Sequence, residues 1–224
     1  MVNTIIYIAH RGDCTRLPEN SIAAFRKAFR NDWDGVEFDV RKSRDGKLYL
    51  LHDARLGRTT SMSGYISRKT SEELKECRLR NGERLPLLED LLKIFPKGKI
   101  AMLEIKVNGI ERQVLRLLQK YGLKKKTIIC SFKSDILRKV RRLDKGIRLD
   151  LERPVFFSPQ ARLALRLGCT TIGFKRIFLR KRQVDLLHMN GVLLVPYAIE
   201  SKMQRMRLIR KGADGFCVKK RHPS

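Results

Sequence analysis

Strand-like apolar runs alternate with helical patterns from one end of the chain to the other, and this alternation constrains the fold more than any other feature. The runs fall near residues 4–9, 35–41, 99–106, 127–131, 147–151, 170–174, 192–197 and 214–218. Strands and helices in strict turn imply parallel pairing, because a parallel neighbour is reached only through a crossover, usually a helix. Eight such units close into a (β/α)8, or TIM, barrel. The expected fold is a single α/β barrel domain over residues 1–224, a length at which such barrels are commonly one domain.

Residues 42–98 are too long a connection for a bare loop and read as a small insertion after the second barrel strand. It opens on Asp45-Gly46, a hairpin turn signal, which folds a short run at 48–52 back beside that strand. A helix is expected near Ser71, capped by Thr70 or Ser71 and led by Glu72 and Glu73. Six residues follow the eighth strand, so the last helix is expected to be missing or very short.

A strand that is buried on both faces makes charged residues within it conspicuous. Glu37 and Asp39 lie two apart on the second barrel strand, and the period of two turns both carboxylates to one side. Such a pair needs a cation or basic side chains to offset its desolvation; Arg41 or Lys42 would serve, and so would a divalent metal. Glu104 and Lys106 repeat the spacing on the next barrel strand. Three carboxylates with waters suit a hard cation, Mg²⁺ or Ca²⁺, better than Zn²⁺. Lys106 would then offset charge on a phosphoryl oxygen or, more simply, form an ion pair with Glu37 or Glu104.

His10-Arg11-Gly12 ends the first strand, on the face where barrel enzymes carry their chemistry, and the Asp45-Gly46 turn returns His52-Asp53 towards the Glu37 and Asp39 end. Two imidazoles beside one metal are what phosphodiester cleavage asks for: one accepts a proton from the attacking oxygen and the other protonates the departing alkoxide. Arg11 and Lys106 would offset the negative charge that grows on phosphorus oxygens.

Taken together, these residues make the chain resemble the glycerophosphodiester phosphodiesterase family over nearly its whole length. The likeness runs through His10-Arg11-Gly12, Pro18-Glu19-Asn20-Ser21, Ala24-Phe25, Gly35-Val36-Glu37-Phe38-Asp39-Val40, Asp45-Gly46, His52-Asp53, Leu56 and Arg58-Thr59-Thr60. It continues in Leu85-Pro86-Leu87-Leu88-Glu89, Glu104-Ile105-Lys106 and Ser131-Phe132. The resemblance implies metal-dependent hydrolysis of glycerophosphodiesters to sn-glycerol 3-phosphate and an alcohol. It implies His10 and His52 as the acid/base pair, Glu37, Asp39 and Glu104 as ligands of one divalent cation, and Arg11 and Lys106 as phosphate contacts. Asn20 reads equally as an N-cap of the first helix and as a ligand contact.

The C-terminal third departs from that pattern. Tyr197-Ala198-Ile199-Glu200 stands where similar proteins tend to carry Trp-Thr-Val-Asn, and Val218-Lys219-Lys220-Arg221-His222-Pro223 where a Thr-Asp-x-Pro close is usual. Phe132, Lys175 and Tyr197 are candidates for the pocket wall, so the choice of alcohol is the property these departures touch. Lys175 and Lys219 read most simply as solvated lysines, and His188 and His222 as surface residues without a carboxylate partner.

Charge adds a question of partners. Fifty Lys and Arg against 23 Asp and Glu give +27, divided as 20 − 14 = +6 over residues 1–100 and 30 − 9 = +21 over residues 101–224. Such a surface attracts phosphorylated substrates, anionic lipid and nucleic acid alike, or is simply a set of solvated helix faces. A lysophospholipase D-like enzyme at anionic membranes is therefore the enzymatic alternative. A non-catalytic phosphate- or nucleic-acid-binding barrel is the alternative of another class, although the basic half has few of the aromatic residues that nucleic-acid readers interleave with their charge. Five widely spaced cysteines suggest neither disulfides nor a metal knuckle, and residues 5–9 are too short to span a bilayer, so a cytoplasmic protein, peripheral to membranes at most, is expected.

Overall fold

The computed structural model describes residues 5–221; residue 4 of the expected first strand and His222 lie outside them. The strands are β1 (Ile6–His10), β2 (Gly35–Lys42), β3 (Leu48–Leu50), β4 (Ile100–Ile105), β5 (Thr127–Ser131), β6 (Arg148–Phe156), β7 (Thr171–Ile177), β8 (Leu193–Leu194) and β9 (Gly215–Val218). The helices are α1 (Ile22–Arg30), α2 (Ser71–Leu74), α3 (Leu88–Ile94), α4 (Glu111–Lys120), α5 (Ser134–Leu143), α6 (Ser158–Leu167), α7 (Lys181–Met189) and α8 (Lys202–Arg210). The sheet order is β8-β7-β6-β5-β4-β2-β1-β9, parallel throughout, with β3 antiparallel on β2. A parallel bridge from Tyr197 to Cys217 joins the segment after β8 to β9. Eight parallel strands with helices between them thus form a nearly closed barrel, the TIM architecture that the alternation predicts. No helix follows β9 among the described residues.

Period-two alternation divides the core into two layers. Val36, Phe38 and Val40 of β2, with Leu103 and Ile105 of β4, pack outwards against buried residues of the helix ring such as Phe25, Leu91, Val114 and Ile136. Ile8, Met102, Ile128, Cys130, Val195, Tyr197 and Cys217 form a separate cluster inside the barrel. The next inward positions towards the C-terminal ends of these strands are polar: His10 after Ile8 and Glu104 after Met102. An apolar plug therefore lies beneath a charged layer, the arrangement that lets a barrel be filled and still carry a site at its mouth.

Two strands run further than the sequence suggests. β6 continues through Arg153-Pro154-Val155-Phe156 and β7 through Lys175-Arg176-Ile177, paired with each other at Val155–Arg176 and Phe156–Ile177. Pro154 lies past Leu151, the last residue of β6 that pairs with β5, so its missing N–H costs nothing on that side. In contrast, β8 is a ladder of two residues within the expected run at 192–197, although Val195 and Tyr197 beyond it still donate to the Ile172 and Phe174 carbonyls of β7.

In the insertion, Gly46 takes φ +87° and donates its N–H to the Ser43 carbonyl, which returns the chain into β3. Tyr49, Leu51, Leu56, Ile66, Leu74, Cys77, Leu79 and Leu85 form their own small cluster over the barrel. Thr70 caps α2 in a reciprocal box with Glu73.

Candidate active site

β2 and β4 are in register with Asp39 opposite Glu104, and β1 and β2 with His10 opposite Glu37. Parallel pairing with inward-turned side chains thus gathers on one floor residues as distant in sequence as positions 10 and 104. Glu37, Asp39 and Glu104 are all buried, and each offers a carboxylate oxygen within 4.8 Å of the others. Burial and the neighbouring Asp39 hold the Glu37 carboxyl well above the usual range. Burial raises Glu104 to about 7, with Lys106 opposing and Asp39 adding to the rise. Burial acts on Asp39 too, but Lys106 and Arg11 outweigh it and keep this carboxylate ionised.

Lys106 lies 3.0 Å from Asp39 Oδ1 and hydrogen-bonds Glu104. Arg11 Nε lies 3.2 Å from Asp39 Oδ2. Arg41, an expected alternative partner of the acidic pair, donates instead to the His52 carbonyl oxygen, and its charge acts on Asp39 only through space. Two cations against three carboxylates leave negative charge uncompensated, which adds to the burial that already raises the Glu37 and Glu104 carboxyls. An all-carboxylate donor set on a buried floor fits a hard divalent cation such as Mg²⁺ or Ca²⁺.

The loop between β1 and α1 aims Arg11. Arg11 itself has φ +61° and Asn20 φ +58°, two left-handed residues beside one site. The backbone N–H of Arg11 donates to Glu37 Oε2 at 3.0 Å. Asn20 donates through Nδ2 to Asp39 Oδ2 at 2.8 Å and accepts the Asp39 N–H at 3.2 Å, which fixes the carboxylate in orientation. The N-cap of α1 is Ser21 and not Asn20, because Ser21 Oγ accepts from Ala24 N. Gly12 at φ +81° presses against α1, where a Cβ would stand 2.9 Å from the Ala24 carbonyl carbon.

The two expected imidazoles differ in their supports. His10 Nε2 is 3.9 Å from Glu37 Oε2, and its buried Nδ1 has no hydrogen-bond partner among the described residues. Burial, helped by Arg11, drives its pKa down to about 3, so His10 is neutral. His52 Nδ1 meets Asp53 Oδ1 at 2.7 Å, which leaves Nε2 free of that contact. Asp53 in turn accepts from Arg58, Arg58 from its other nitrogen holds Glu19, and Glu19 Oε1 accepts from Arg11 Nη1 at 2.9 Å. A chain of alternating charge therefore links the β1 loop to the start of the insertion.

Across the mouth, the rings of Phe132 and Tyr197 meet edge to face at 5.8 Å. Lys106 Nζ stands 5.8 Å from the Phe132 ring centre, and Lys175 Nζ 5.8 Å from that of Tyr197. Lys175 is exposed, as a solvated lysine should be, but its ammonium also stands over the Tyr197 ring. Lys219 is exposed as well, and its charge still helps to depress His10.

Sequence reading misses Asp150 and Glu152, although their spacing on β6 repeats that of Glu37 and Asp39. Both are buried; burial lifts Asp150 to about 7 and Glu152, with help from Glu104, well above the carboxylate range. Gly173 makes room for them, since a Cβ there would come within 3.0 Å of Glu152 Cγ. His188 needs a correction: it has a carboxylate partner, Asp214 Oδ2 at 3.0 Å, brought from 26 residues away by the packing of α7 on the chain before β9.

Residues 10–220 match the model of the glycerophosphoryl diester phosphodiesterase family. A glycerophosphodiester phosphodiesterase of Caldanaerobacter subterraneus subsp. tengcongensis is 30% identical over 224 residues, covering 94% of this chain and 92% of that one. The crystal structure of a Thermotoga maritima glycerophosphodiester phosphodiesterase has a TM-score of 0.79 at 25% identity, with 98% and 96% of the two chains covered. An Oleispira antarctica phosphodiesterase, solved with its product sn-glycerol-3-phosphate, shares the fold with a TM-score of 0.84 at 24% identity over 96% of this chain and 92% of that one. With the barrel, the buried acidic floor and a match spanning nearly every residue, the chain belongs to the glycerophosphoryl diester phosphodiesterase family.

Proposed function

We propose that this chain hydrolyses a glycerol-linked phosphodiester to sn-glycerol 3-phosphate and a free alcohol, with Glu37, Asp39 and Glu104 holding one divalent cation, Mg²⁺ or Ca²⁺. The observation that carries this reading is the convergence of three buried carboxylates on one point with an imidazole at the end of β1 and another at the end of the β3 segment. Glu37, Asp39 and Glu104 would hold the cation, which when bound would supply Lewis-acid polarisation of the phosphoryl group. Arg11 and Lys106, already beside the carboxylates, orient the phosphate oxygens and stabilise the charge that grows on them. The neutral His10 and the Asp53-oriented His52 divide two proton transfers between them, one from the attacking hydroxyl and one to the departing alkoxide. The attacking hydroxyl belongs either to water or to the substrate's own glycerol; in the second case a cyclic phosphate appears before sn-glycerol 3-phosphate, and phosphorus NMR of a turnover mixture separates the two.

Phe132, Tyr197 and Lys175 form the wall against which the alcohol lies. The five free cysteines, four of them buried, support a cytoplasmic setting. The charge of +27 supports a second reading, in which the diester is a lysophospholipid presented by an anionic membrane. A panel of glycerophosphodiesters and lysolipids assayed with chelator, Mg²⁺ and Ca²⁺ tests the reaction. His10→Ala and His52→Ala are each expected to lower kcat by about 10²- to 10⁴-fold with little change in unfolding midpoint, and Glu37→Gln to weaken metal binding. Wild-type rates in both histidine variants would end the acid/base assignment. Phosphate binding without turnover in either metal would favour a binding barrel instead.

A further inference from the structure

The rim of the barrel beyond β6 and β7 carries features that the hydrolytic site does not use. Phe157 and Phe178 follow the C-terminal ends of these neighbouring strands, on the same face as the acidic floor. Their rings stack at 5.2 Å with 17° between planes, yet Phe157 is 46% and Phe178 60% exposed. A stacked aromatic pair in water leaves unspent the burial that aromatic side chains normally gain. Beside Phe178 a groove of about 660 Å³ runs from the end of β7 along α8. Its apolar lining includes Ile177, Phe178, Ile199 and Leu208, and cationic residues such as Lys175, Arg176 and Arg207 stand among them. Along α8, Met203, Met206 and Ile209 add further exposed apolar surface.

Charge on this face runs against local helix preference. α6, α7 and α8 have no acidic residue in their first turns, and α7 begins with Lys181-Arg182 behind Arg180. Cations at a helix N-terminus oppose the macrodipole, so these residues weaken their own helix and strengthen the positive field over the catalytic face. Exposed aromatic and thioether side chains among Lys and Arg match an anionic bilayer, whose interface takes up rings and whose headgroups attract the charge. The groove also communicates with the site: Lys175 lines it and stands over Tyr197, Tyr197 meets Phe132, and Lys106 stands over Phe132.

We propose that the Phe157–Phe178 pair and the groove between the end of β7 and α8 form a docking surface for an anionic bilayer, which seats the catalytic mouth on the membrane. The inference rests on the hydrolytic reading only for the meaning of the docking, because the surface itself is independent of the acidic floor. The test is co-sedimentation of the full chain with phosphatidylglycerol/phosphatidylcholine vesicles and with pure phosphatidylcholine vesicles, at low and high salt. Preferential, salt-sensitive binding to the anionic vesicles is expected. Phe157→Ser/Phe178→Ser is expected to weaken it by about tenfold or more, and to lower turnover of a vesicle-borne lysolipid while leaving turnover of soluble glycerophosphocholine unchanged. Emission from Phe178→Trp should shift to the blue on the same vesicles, against the constant background of the buried Trp33.

Wild-type binding by the double variant, or an unmoved Phe178→Trp emission, overturns the proposal. So does loss of soluble-diester turnover in the double variant, which would make the pair part of the active site. Binding of single-stranded RNA in preference to vesicles, lost in Arg176→Glu/Arg207→Glu, would replace the membrane with a nucleic acid. A wild-type protein that binds anionic vesicles but cleaves no diester would sink the hydrolytic reading and leave the docking surface standing.

Discussion

A histidine that moves a proton must present one ring nitrogen to the substrate and keep the other occupied, and at this site the two imidazoles meet that demand unequally. His52 has Asp53 on Nδ1, and Asp53 is held down at about 2, first by its hydrogen bond from Arg58. An ionised carboxylate there fixes the tautomer with the proton on Nδ1, so that Nε2 is the acceptor. Asp53→Asn removes the charge and allows the amide to offer either oxygen or nitrogen. The expected result is a fall in kcat of about 10²-fold, the low end of what general acid–base catalysis contributes, with a smaller change in KM because Asp53 reaches Arg11 only through Arg58 and Glu19. Burial lowers the His52 pKa while the Asp53 hydrogen bond raises it. Losing that bond should therefore move the acid limb of the pH–kcat profile to lower pH. Steady-state kinetics across pH measure both effects, and an unaltered kcat and profile would remove Asp53 from the scheme.

Among the elements, the turn from β1 into α1 carries the most demanding backbone. Gly12 combines φ +81° with a Cβ position 2.9 Å from backbone atoms of α1, so a side chain could be admitted only by moving the helix. Gly12→Ala should cost about 1–3 kcal/mol in urea-monitored stability. It should also lower activity more than that loss explains, since Arg11 and Asn20 are aimed by the same turn. A variant with full activity and stability would show that the turn relaxes freely. This motif was legible because His-Arg-Gly at a strand end is a local pattern, as are the two-residue spacings of Glu37 with Asp39 and Glu104 with Lys106. Strand count and the hairpin at Gly46 were legible for the same reason, being set by period and turn chemistry. The salt-bridge chain from Arg11 through Glu19 and Arg58 to Asp53 was not, because it joins segments 39 residues apart whose approach only the packed insertion determines. Asp150 and Glu152 had the right spacing but no recognisable neighbours, and β6 runs on past the apolar residues that mark it in the sequence.

At the scale of the whole molecule, the barrel interior holds more acid than its own cations neutralise, and stability should record this as a dependence on pH and metal. Glu37, Glu104, Asp150 and Glu152 all have carboxyls raised by burial, Glu104 and Asp150 to about 7. A raised folded-state value means that the native protein binds protons the unfolded chain has already released, so this contribution to stability is complete below the ordinary carboxylate range and is lost as pH rises towards 7 and beyond. The lowered His10 and His52 act in the opposite sense, but only below the ordinary histidine value of 6.5. Above it the carboxyls act alone, and the metal-free protein should lose melting temperature between pH 6.5 and 8. A divalent cation held as proposed should reverse the trend, because it would bind the deprotonated forms of Glu37 and Glu104 and compete with their protons. With metal at 100 times its dissociation constant the gain is about 2.7 kcal/mol, or about 5–10 °C for a chain of this size. The gain should be larger at pH 8 than at pH 5.5. Glu37→Gln should shrink it at pH 8, where a raised carboxyl matters most. Thermal scans with chelator, Mg²⁺ and Ca²⁺ at the two pH values decide the matter: a metal gain that is equal at both would mean that the acidic floor is already ionised in the metal-free protein, with Lys106 and Arg11 sufficient to hold it.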